Sequence, residues 1–214
     1  ILYLLPTTNL NLINVWMKIN PENLILDEAL RLNYKSFFIS GNDEGYIFAL
    51  LDLLVRGFLS NGFIKKTLTG DDTIASDLFK LENKYVYVCD KYIGNNSLEE
   101  IEKSKDVLIF FEKTSPKNKS IKQFFSQSKE RVLLECYELD QGRKKNLLDG
   151  FIKKNGLYFE KEAYWFLLGL LNSRFAILEK ELEKILLLED KNDPAAIANA
   201  LNINRLVDAN KFFF

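Results

Sequence analysis

The sequence predicts an α/β protein: a mostly parallel five-stranded sheet flanked by helices, followed by a small all-helical domain. Five short apolar segments rich in β-branched and aromatic residues alternate with helix-like segments in the first two thirds of the chain. The strand segments are continuously apolar, which is typical of strands covered on both faces. After residue 139 the apolar residues recur only at helical spacing. The sheet is therefore expected first and the helical domain last.

Local signals place the elements of the α/β part. Strands are predicted at about 35–39, 63–69, 85–89, 107–111 and 132–136, and helices at about 20–33, 46–59 and 117–126. The third strand, Tyr85 to Cys89, is rich in β-branched and aromatic residues. Asn61-Gly62 is a turn signal between the second helix and the second strand. The helix at 46–59 is so apolar that we expect it to be buried on most sides.

The helical domain has clear start and stop signals. Asp140 can cap a helix that buries Leu147 and Leu148, and Gly156 can end it. Further helices are predicted at 160–171, at 175–188 and from Asp193 onward. In the helix at 175–188 three residues face the core, namely Leu178, Leu182 and Ile185.

Composition excludes several function classes. The chain has 214 residues, 47% apolar and 28% charged, with a net charge of −1, as in an ordinary globular protein with no global attraction to nucleic acid or membrane. It contains no histidine, which removes the commonest general base and argues against most hydrolase mechanisms. Cys89 and Cys136 lie inside apolar strands and are expected to be buried, reduced thiols. No apolar run is long enough for a membrane span.

The segment after the first strand has the layout of a phosphate-binding loop without its chemistry. Gly41 and Gly45 flank a small polar loop, but a Gly-x-x-x-x-Gly-Lys-Ser/Thr loop needs a lysine and a hydroxyl directly after its second glycine. Tyr46 and Ile47 occupy those places. The acidic pair Asp43-Glu44 would repel a polyphosphate, while it suits the N-terminus of a helix. We therefore expect no nucleotide site here.

Several motifs in order resemble the delta subunit of the bacterial DNA polymerase III clamp loader. An α/β domain followed by a helical lid is also the plan of AAA+ ATPase modules. The resemblance spans about residues 17–211, and its parts are Phe38 to Gly45, Gly70-Asp71-Asp72, Ser76-Asp77-Leu78-Phe79, Glu112-Lys113 with Lys117 to Lys122, and Asn155-Gly156-Leu157 leading to Leu178 through Lys184.

The resemblance implies a domain organisation. Residues 17–138 would form an AAA+-like domain without a nucleotide site, and residues 139–207 a helical lid. Residues 208–214 would begin a collar domain that is otherwise missing, so that the chain would be truncated. Residues 1–16 are expected to be a non-native or disordered extension ahead of Met17.

The resemblance also implies a function in bacterial DNA replication. Delta subunits lack a working ATP site and open the ring-shaped sliding clamp with a hydrophobic Leu-Phe wedge, which maps onto Leu78-Phe79. Partners would be the beta sliding clamp, the gamma/tau ATPase subunits, delta-prime and, through the complex, primer-template DNA. The protein would be cytoplasmic, with no membrane partner, cofactor, metal or catalytic residue. Intrinsic enzymatic activity is not expected, and Asp90 at the end of the third strand is interpreted as a turn residue.

Alternatives remain open for each of these assignments. Leu78 and Phe79 could simply cover the edge of the sheet. The basic groups could touch DNA, although interspersed acids favour solvated faces; the groups are Lys65-Lys66, Lys113 with Lys117, Lys119 and Lys122, Arg143-Lys144-Lys145, and Lys153-Lys154. The chain could also be a diverged P-loop NTPase, or another inactive AAA+ scaffold such as delta-prime. The lack of CxxC zinc ligands disfavours delta-prime.

Overall fold

Among the residues that the structure describes, five parallel strands form one sheet at the centre of the fold. The computed structural model describes residues 19–68, 84–90, 101, 104–114 and 119–201. The strand order is β2-β3-β4-β1-β5, and every pairing is parallel. The strands are β1 Ser36–Gly41, β2 Ile64–Leu68, β3 Tyr85–Asp90, β4 Val107–Glu112 and β5 Arg131–Cys136. The predicted α/β class is confirmed, and the sheet is wholly rather than mostly parallel.

Eight helices are described. They are α1 Pro21–Leu26, α2 Glu28–Arg31, α3 Glu44–Ser60, α4 Lys119–Ser126, α5 Gln141–Asn155, α6 Lys161–Leu170, α7 Phe175–Leu186 and α8 Pro194–Ala200. The single helix expected at 20–33 is wrong, because Asp27 interrupts it with an extended backbone (φ −122°, ψ 107°). The Asp27 side chain accepts a hydrogen bond from the Leu30 N–H at 3.1 Å, which starts α2 as a separate helix.

The continuous apolar character of β1 follows from its position, whereas the expectation is wrong for the edge strand β2, in which Lys65 and Lys66 interrupt the apolar residues and Ile64 is exposed. β1 lies between β4 and β5, so that Phe38 is opposite Phe110 on one side and Leu133 on the other. All six residues of β1 are buried. A strand with neighbours on both sides and helices over both faces has no position where a polar side chain reaches water.

The two faces of the sheet have separate cores. Phe37 and Ile39 point toward α3, whereas Phe38 packs on the other face against Phe125 of α4. The expectation that α3 is buried on most sides is confirmed, because the sheet, α1, α2 and α7 all pack against it. Most of its exposed residues lie along one stripe, namely Glu44, Phe48, Asp52, Arg56 and Ser60.

The first helix of the helical part, α5, begins and ends as predicted. The Asp140 carboxylate accepts a hydrogen bond from the Arg143 N–H at 2.8 Å, and Gly156 ends α5 in the left-handed conformation (φ 61°). Helix α7 buries its predicted face, which comprises Leu178, Leu182 and Ile185. These residues belong to the same hydrophobic core as Leu50 of α3. The division into domains at residues 138/139 stays a prediction.

Candidate functional site: the loop between β1 and α3

The end of β1 lies where open α/β sheets hold ligands. β1 and β4 are neighbours in the sheet. The connection after β1 runs to β2 at one edge of the sheet, and the connection after β4 runs to β5 at the opposite edge. Neighbouring strands whose connections run in opposite directions leave a crevice at their carboxyl ends, which is the usual ligand site of such folds. The loop between β1 and α3 borders this crevice.

The loop is too short to surround a phosphate. Only Asn42 and Asp43 connect β1 to α3, and Gly45 already lies inside the helix. Gly41 approaches β5 so closely that a Cβ atom there would lie 1.9 Å from the carbonyl oxygen of Cys136. The Asp43 N–H donates to that same carbonyl oxygen at 3.2 Å. The loop therefore bends against β5 instead of arching over the crevice.

Asp43 occupies the N-termini of two helices at once. One carboxylate oxygen accepts a hydrogen bond from the Tyr46 N–H of α3 at 3.0 Å. The other accepts one from the Phe175 N–H of α7, also at 3.0 Å. Arg174, the residue at the cap position of α7, makes no side-chain cap of its own. The Asp43 carboxylate therefore already accepts the hydrogen bonds of backbone N–H groups that would otherwise attract an anion. It is only 7% exposed.

Tyr46 takes the place that a phosphate-binding lysine would hold, and it is fully buried. Its ring stacks on Phe175 with centroids 4.3 Å apart and an interplanar angle of 11°. Its hydroxyl donates a hydrogen bond to Oε1 of Glu22 at 3.0 Å. Burial raises the pKa of Tyr46 far above its usual value, and the negative charge of Glu22 raises it further, so the phenol stays neutral.

A buried ion pair lies behind the tyrosine. Arg143 of α5 donates from Nε to Oε1 of Glu22 at 2.5 Å, and Glu22 is fully buried. Burial acts to lower the pKa of Arg143, but the hydrogen bond and the negative charge of Glu22 outweigh it and raise that pKa. Glu22, Tyr46 and Arg143 thus form one buried polar cluster that ties together α1, α3 and α5.

An ion pair crosses from α3 to the end of β4. Glu44, in the first turn of α3, lies 3.0 Å from Nζ of Lys113, which follows β4. That ammonium group also lies 5.3 Å from the ring centroid of Phe48. Both charged side chains are more than half exposed, so the pair adds little to stability. It does place a carboxylate beside the crevice, where it would repel a polyphosphate.

Most of the predicted basic groups that the structure describes have internal partners. In the Arg143-Lys144-Lys145 group, Arg143 pairs with Glu22, Nζ of Lys144 donates to the Leu171 carbonyl at 2.9 Å, and Nζ of Lys145 lies 2.6 Å from an Asp149 oxygen. Other contacts involve Lys66, whose Nζ lies 4.2 Å from the Tyr85 ring centroid, and Lys122, which lies 3.6 Å from Glu135. Arg143 and Lys144 are therefore structural, which neither the DNA-binding nor the solvated interpretation anticipated, whereas Lys145 forms a surface ion pair.

The predicted wedge, Leu78-Phe79, lies outside the described residues, as do Gly70 to Asp72, Ser76-Asp77, Lys117 and residues 208–214. Asp90 is the exposed last residue of β3. Cys89 and Cys136 are buried free thiols, as expected, and burial raises the pKa of Cys89 to about 12.

The described ranges hold neither a cluster of metal-binding side chains nor a helix suited to cross a membrane. Within 19–68, 84–90, 101, 104–114 and 119–201, no three metal-binding side chains come together. Among those residues no helix combines the length and the apolar character that a membrane crossing requires.

Comparison with solved structures identifies the fold. The chain is similar to the DNA clamp loader delta protein of Bacillus subtilis, with a TM-score of 0.58 at 10% sequence identity. The fold is AAA+-like. The match covers 82% of this chain but 61% of the other, so the chain spans less than two thirds of that relative. At such low identity the likeness concerns the fold alone. No protein-family model and no curated protein matches the sequence.

Two further solved structures are more distant. Domain III of the Thermotoga maritima replication initiation protein DnaA has a TM-score of 0.46 at 12% identity, covering 88% of this chain and 95% of that one. The Thermotoga maritima RuvB Holliday junction branch migration motor has a TM-score of 0.41 at 11% identity, covering 85% and 67%. These scores are too low to add to the argument.

The sequence could not show how the loop is closed. The sequence marks Asp43 and Glu44 as suitable for a helix start and shows that the lysine is missing. The partners of Asp43 and Tyr46 come from Phe175, Glu22 and Arg143, which lie far away in the chain. No local pattern marks those contacts.

Proposed function

We propose that this chain is a non-catalytic, delta-like clamp-loader subunit that binds and opens a sliding clamp during DNA replication. The observation that carries the proposal is the Asp43 carboxylate bound to the N-termini of α3 and α7 at the strand–helix loop, within a fold similar to a clamp loader delta protein. A subunit whose phosphate site is closed in this way works by binding partner proteins and not by hydrolysing nucleotide. ATP would act on it through neighbouring ATPase subunits that do hydrolyse.

The closed loop disfavours the alternative of a diverged P-loop NTPase. Phosphate binding at a helix N-terminus relies on free backbone N–H groups and a positive dipole end. Here the N–H groups of Tyr46 and Phe175 already donate to a carboxylate. A phosphate would have to displace Asp43, and Tyr46 is a neutral phenol with no charge to offer in the place of lysine.

The partners follow from the same proposal. They are the beta sliding clamp, the gamma/tau ATPase subunits, delta-prime and, through the assembled complex, primer-template DNA. The contact with the clamp is proposed at Leu78 and Phe79, on the strength of the sequence resemblance. Two large apolar side chains anchored in a partner pocket contribute about 1.5–3 kcal/mol each, the size typical of interface hot spots.

Calorimetric titration of the chain into a bacterial beta clamp tests the proposal. We expect the double variant Leu78→Ala/Phe79→Ala to bind at least about 100-fold more weakly, since two hot spots are lost. The matched control is Leu186→Ala/Leu187→Ala, an adjacent apolar pair at the end of α7 with 39% and 83% exposure. The control should bind as the unmodified chain does. Equal binding by all three proteins would contradict the proposed wedge.

A parallel titration with Mg²⁺-ATP separates the alternatives. We expect no binding at millimolar nucleotide. Saturable nucleotide binding would favour a diverged NTPase, whereas a folded chain that binds neither nucleotide nor clamp would point to another inactive AAA+ scaffold such as delta-prime.

A further inference from the structure

We propose that Asp43 is a built-in anion that joins α3 to α7 and fixes the helical part, residues 141–200, in one orientation on the sheet whatever nucleotide is present. We call the contacts among Asp43, Gly45, Tyr46, Phe175 and Ala176 the Asp43 joint. The inference concerns the mechanics of this chain and does not depend on the proposed binding partners.

The charge of Asp43 is shared between two helix ends. Helix α3 has 17 residues and α7 has 12, and each directs the positive end of its dipole toward a different oxygen of the same carboxylate. Since Asp43 is 7% exposed, water and salt screen these interactions only weakly. Separating α7 from α3 would break the bond to Phe175 and leave its N–H group and one Asp43 oxygen without a protein partner, while the bond to Tyr46 within α3 would remain.

The side chains and backbone around the Asp43 carboxylate are closely packed. Phe175 stacks on Tyr46 at 4.3 Å between centroids. A Cβ atom at Gly45 would lie 2.7 Å from the Cβ atom of Ala176, so the glycine is what allows the two helices to approach. The first two residues of α7 are thus seated directly on the first turn of α3.

Two more attachments lie away from the joint. Glu22 of α1 holds Arg143 of α5. Leu26 of α1 packs over Gly150 of α5 so tightly that a Cβ atom there would lie 2.2 Å from a Leu26 methyl carbon. Helix α1 in turn contacts α3 and β5. Attachments at three separate places oppose rotation of the helical part, whereas a single contact would act as a hinge.

Electron paramagnetic resonance distances between spin labels on the two parts test this inference. Labels at Arg56→Cys on α3 and Glu179→Cys on α7 would occupy exposed positions, while the native thiols Cys89 and Cys136 are buried and have raised pKa values that disfavour labelling. We expect one narrow distance distribution, unchanged by Mg²⁺-ATP or inorganic phosphate. A broad distribution, or a shift on adding either compound, would overturn the inference.

Variants of two capping aspartates show whether Asp43 is responsible. In the labelled chain, Asp43→Ala should broaden the distribution, while Asp140→Ala, which removes a cap within α5 alone, should leave it narrow. A distribution left unchanged by Asp43→Ala would also count against the joint.

Asp43→Asn keeps the inference testable if Asp43→Ala does not fold. Asparagine supplies one acceptor oxygen instead of two, so one of the Tyr46 and Phe175 amides should exchange hydrogen about fivefold faster or more, the factor expected from a lost cap. Unchanged protection of both amides would show that the second oxygen contributes nothing.

Discussion

Asp43 and Asp140 stand in equivalent places in the chain. Each follows a strand and caps a long helix, Asp43 for the 17 residues of α3 and Asp140 for the 15 residues of α5. Each accepts a hydrogen bond from the N–H three residues on, at 3.0 Å for Tyr46 and 2.8 Å for Arg143. Asp140 is exposed and its bond is local, whereas Asp43 is buried and also holds Phe175, 132 residues away. The same local signature thus caps one helix at Asp140 and two helices at Asp43.

Burial decides how much each aspartate contributes to the free energy of unfolding. When an exposed cap is removed, water can take over the released N–H group. When a buried cap is removed, the N–H groups lose their partner and no solvent replaces it, which costs the full desolvation energy. We therefore expect substitutions near Asp43 to lower the free energy of unfolding more than matched substitutions near Asp140.

The largest difference in the free energy of unfolding is expected between alanine variants of two glycines. Gly41 lies two residues from Asp43, and Gly142 lies two residues from Asp140. Gly41→Ala places a Cβ atom 1.9 Å from the Cys136 carbonyl, a backbone atom inside the sheet that cannot move aside. We expect the free energy of unfolding to fall by about 4 kcal/mol or more, or the chain not to fold. At Gly142 the new Cβ atom would meet only the Asp140 carboxylate at 3.3 Å, and alanine favours the helix.

Urea denaturation followed by circular dichroism measures both glycine variants. Gly142→Ala should change the free energy of unfolding by no more than about 0.5 kcal/mol, because the helical gain and the close contact oppose each other. A Gly41→Ala protein as stable as Gly142→Ala would show that the end of β1 can move away from β5. The closed loop would then be less constrained than its geometry indicates.

A smaller effect is expected at the ion pair behind Tyr46. Glu22→Gln leaves Arg143 charged and mostly buried without its counter-charge, and we expect a loss of about 3 kcal/mol in the free energy of unfolding. Lys145, two residues further along α5, supplies the matched surface pair with Asp149, where Lys145→Met leaves the Tyr164 hydroxyl bonded to Asp149 and should lose about 0.5 kcal/mol.

A double-mutant cycle sharpens this result. Oε2 of Glu22 is buried without a hydrogen-bond partner among the described residues, so the pair is incompletely satisfied. We therefore expect Glu22→Leu/Arg143→Met to be more stable than either single variant, because an apolar replacement removes both charges together. Additive losses in thermal or urea unfolding would mean that the two residues act separately.

The sequence predicted the elements that depend on local chemistry. Five strands, the cap at Asp140, the helix start at Asp193 and the end of α5 at Gly156 all follow from neighbours within four residues. The same locality explains the error at residues 20–33, since the hydrogen bond that the Asp27 carboxylate accepts from the Leu30 N–H competes with helix continuation.

The candidate site was predictable in what it lacks and not in what it contains. The missing lysine and hydroxyl can be read directly at Tyr46 and Ile47. The contacts that close the loop join α1, α3, α5 and α7, and they exist only once the tertiary structure brings these helices together. The proposed wedge at Leu78-Phe79 depends on motif resemblance alone and stays a prediction.

The smallest of the three effects compares the two aspartates themselves. Asp140→Ala removes one exposed cap and should lower the free energy of unfolding by about 1 kcal/mol. Asp43→Ala removes two buried caps, and the expected loss is about 2–3 kcal/mol. Urea titrations of both variants measure the difference, with Asp193→Ala at the exposed cap of α8 as a further reference. Equal losses at 43 and 140 would mean that the bond to Phe175 adds nothing, and the contact between α3 and α7 would then depend on Tyr46, Phe175 and Gly45 alone.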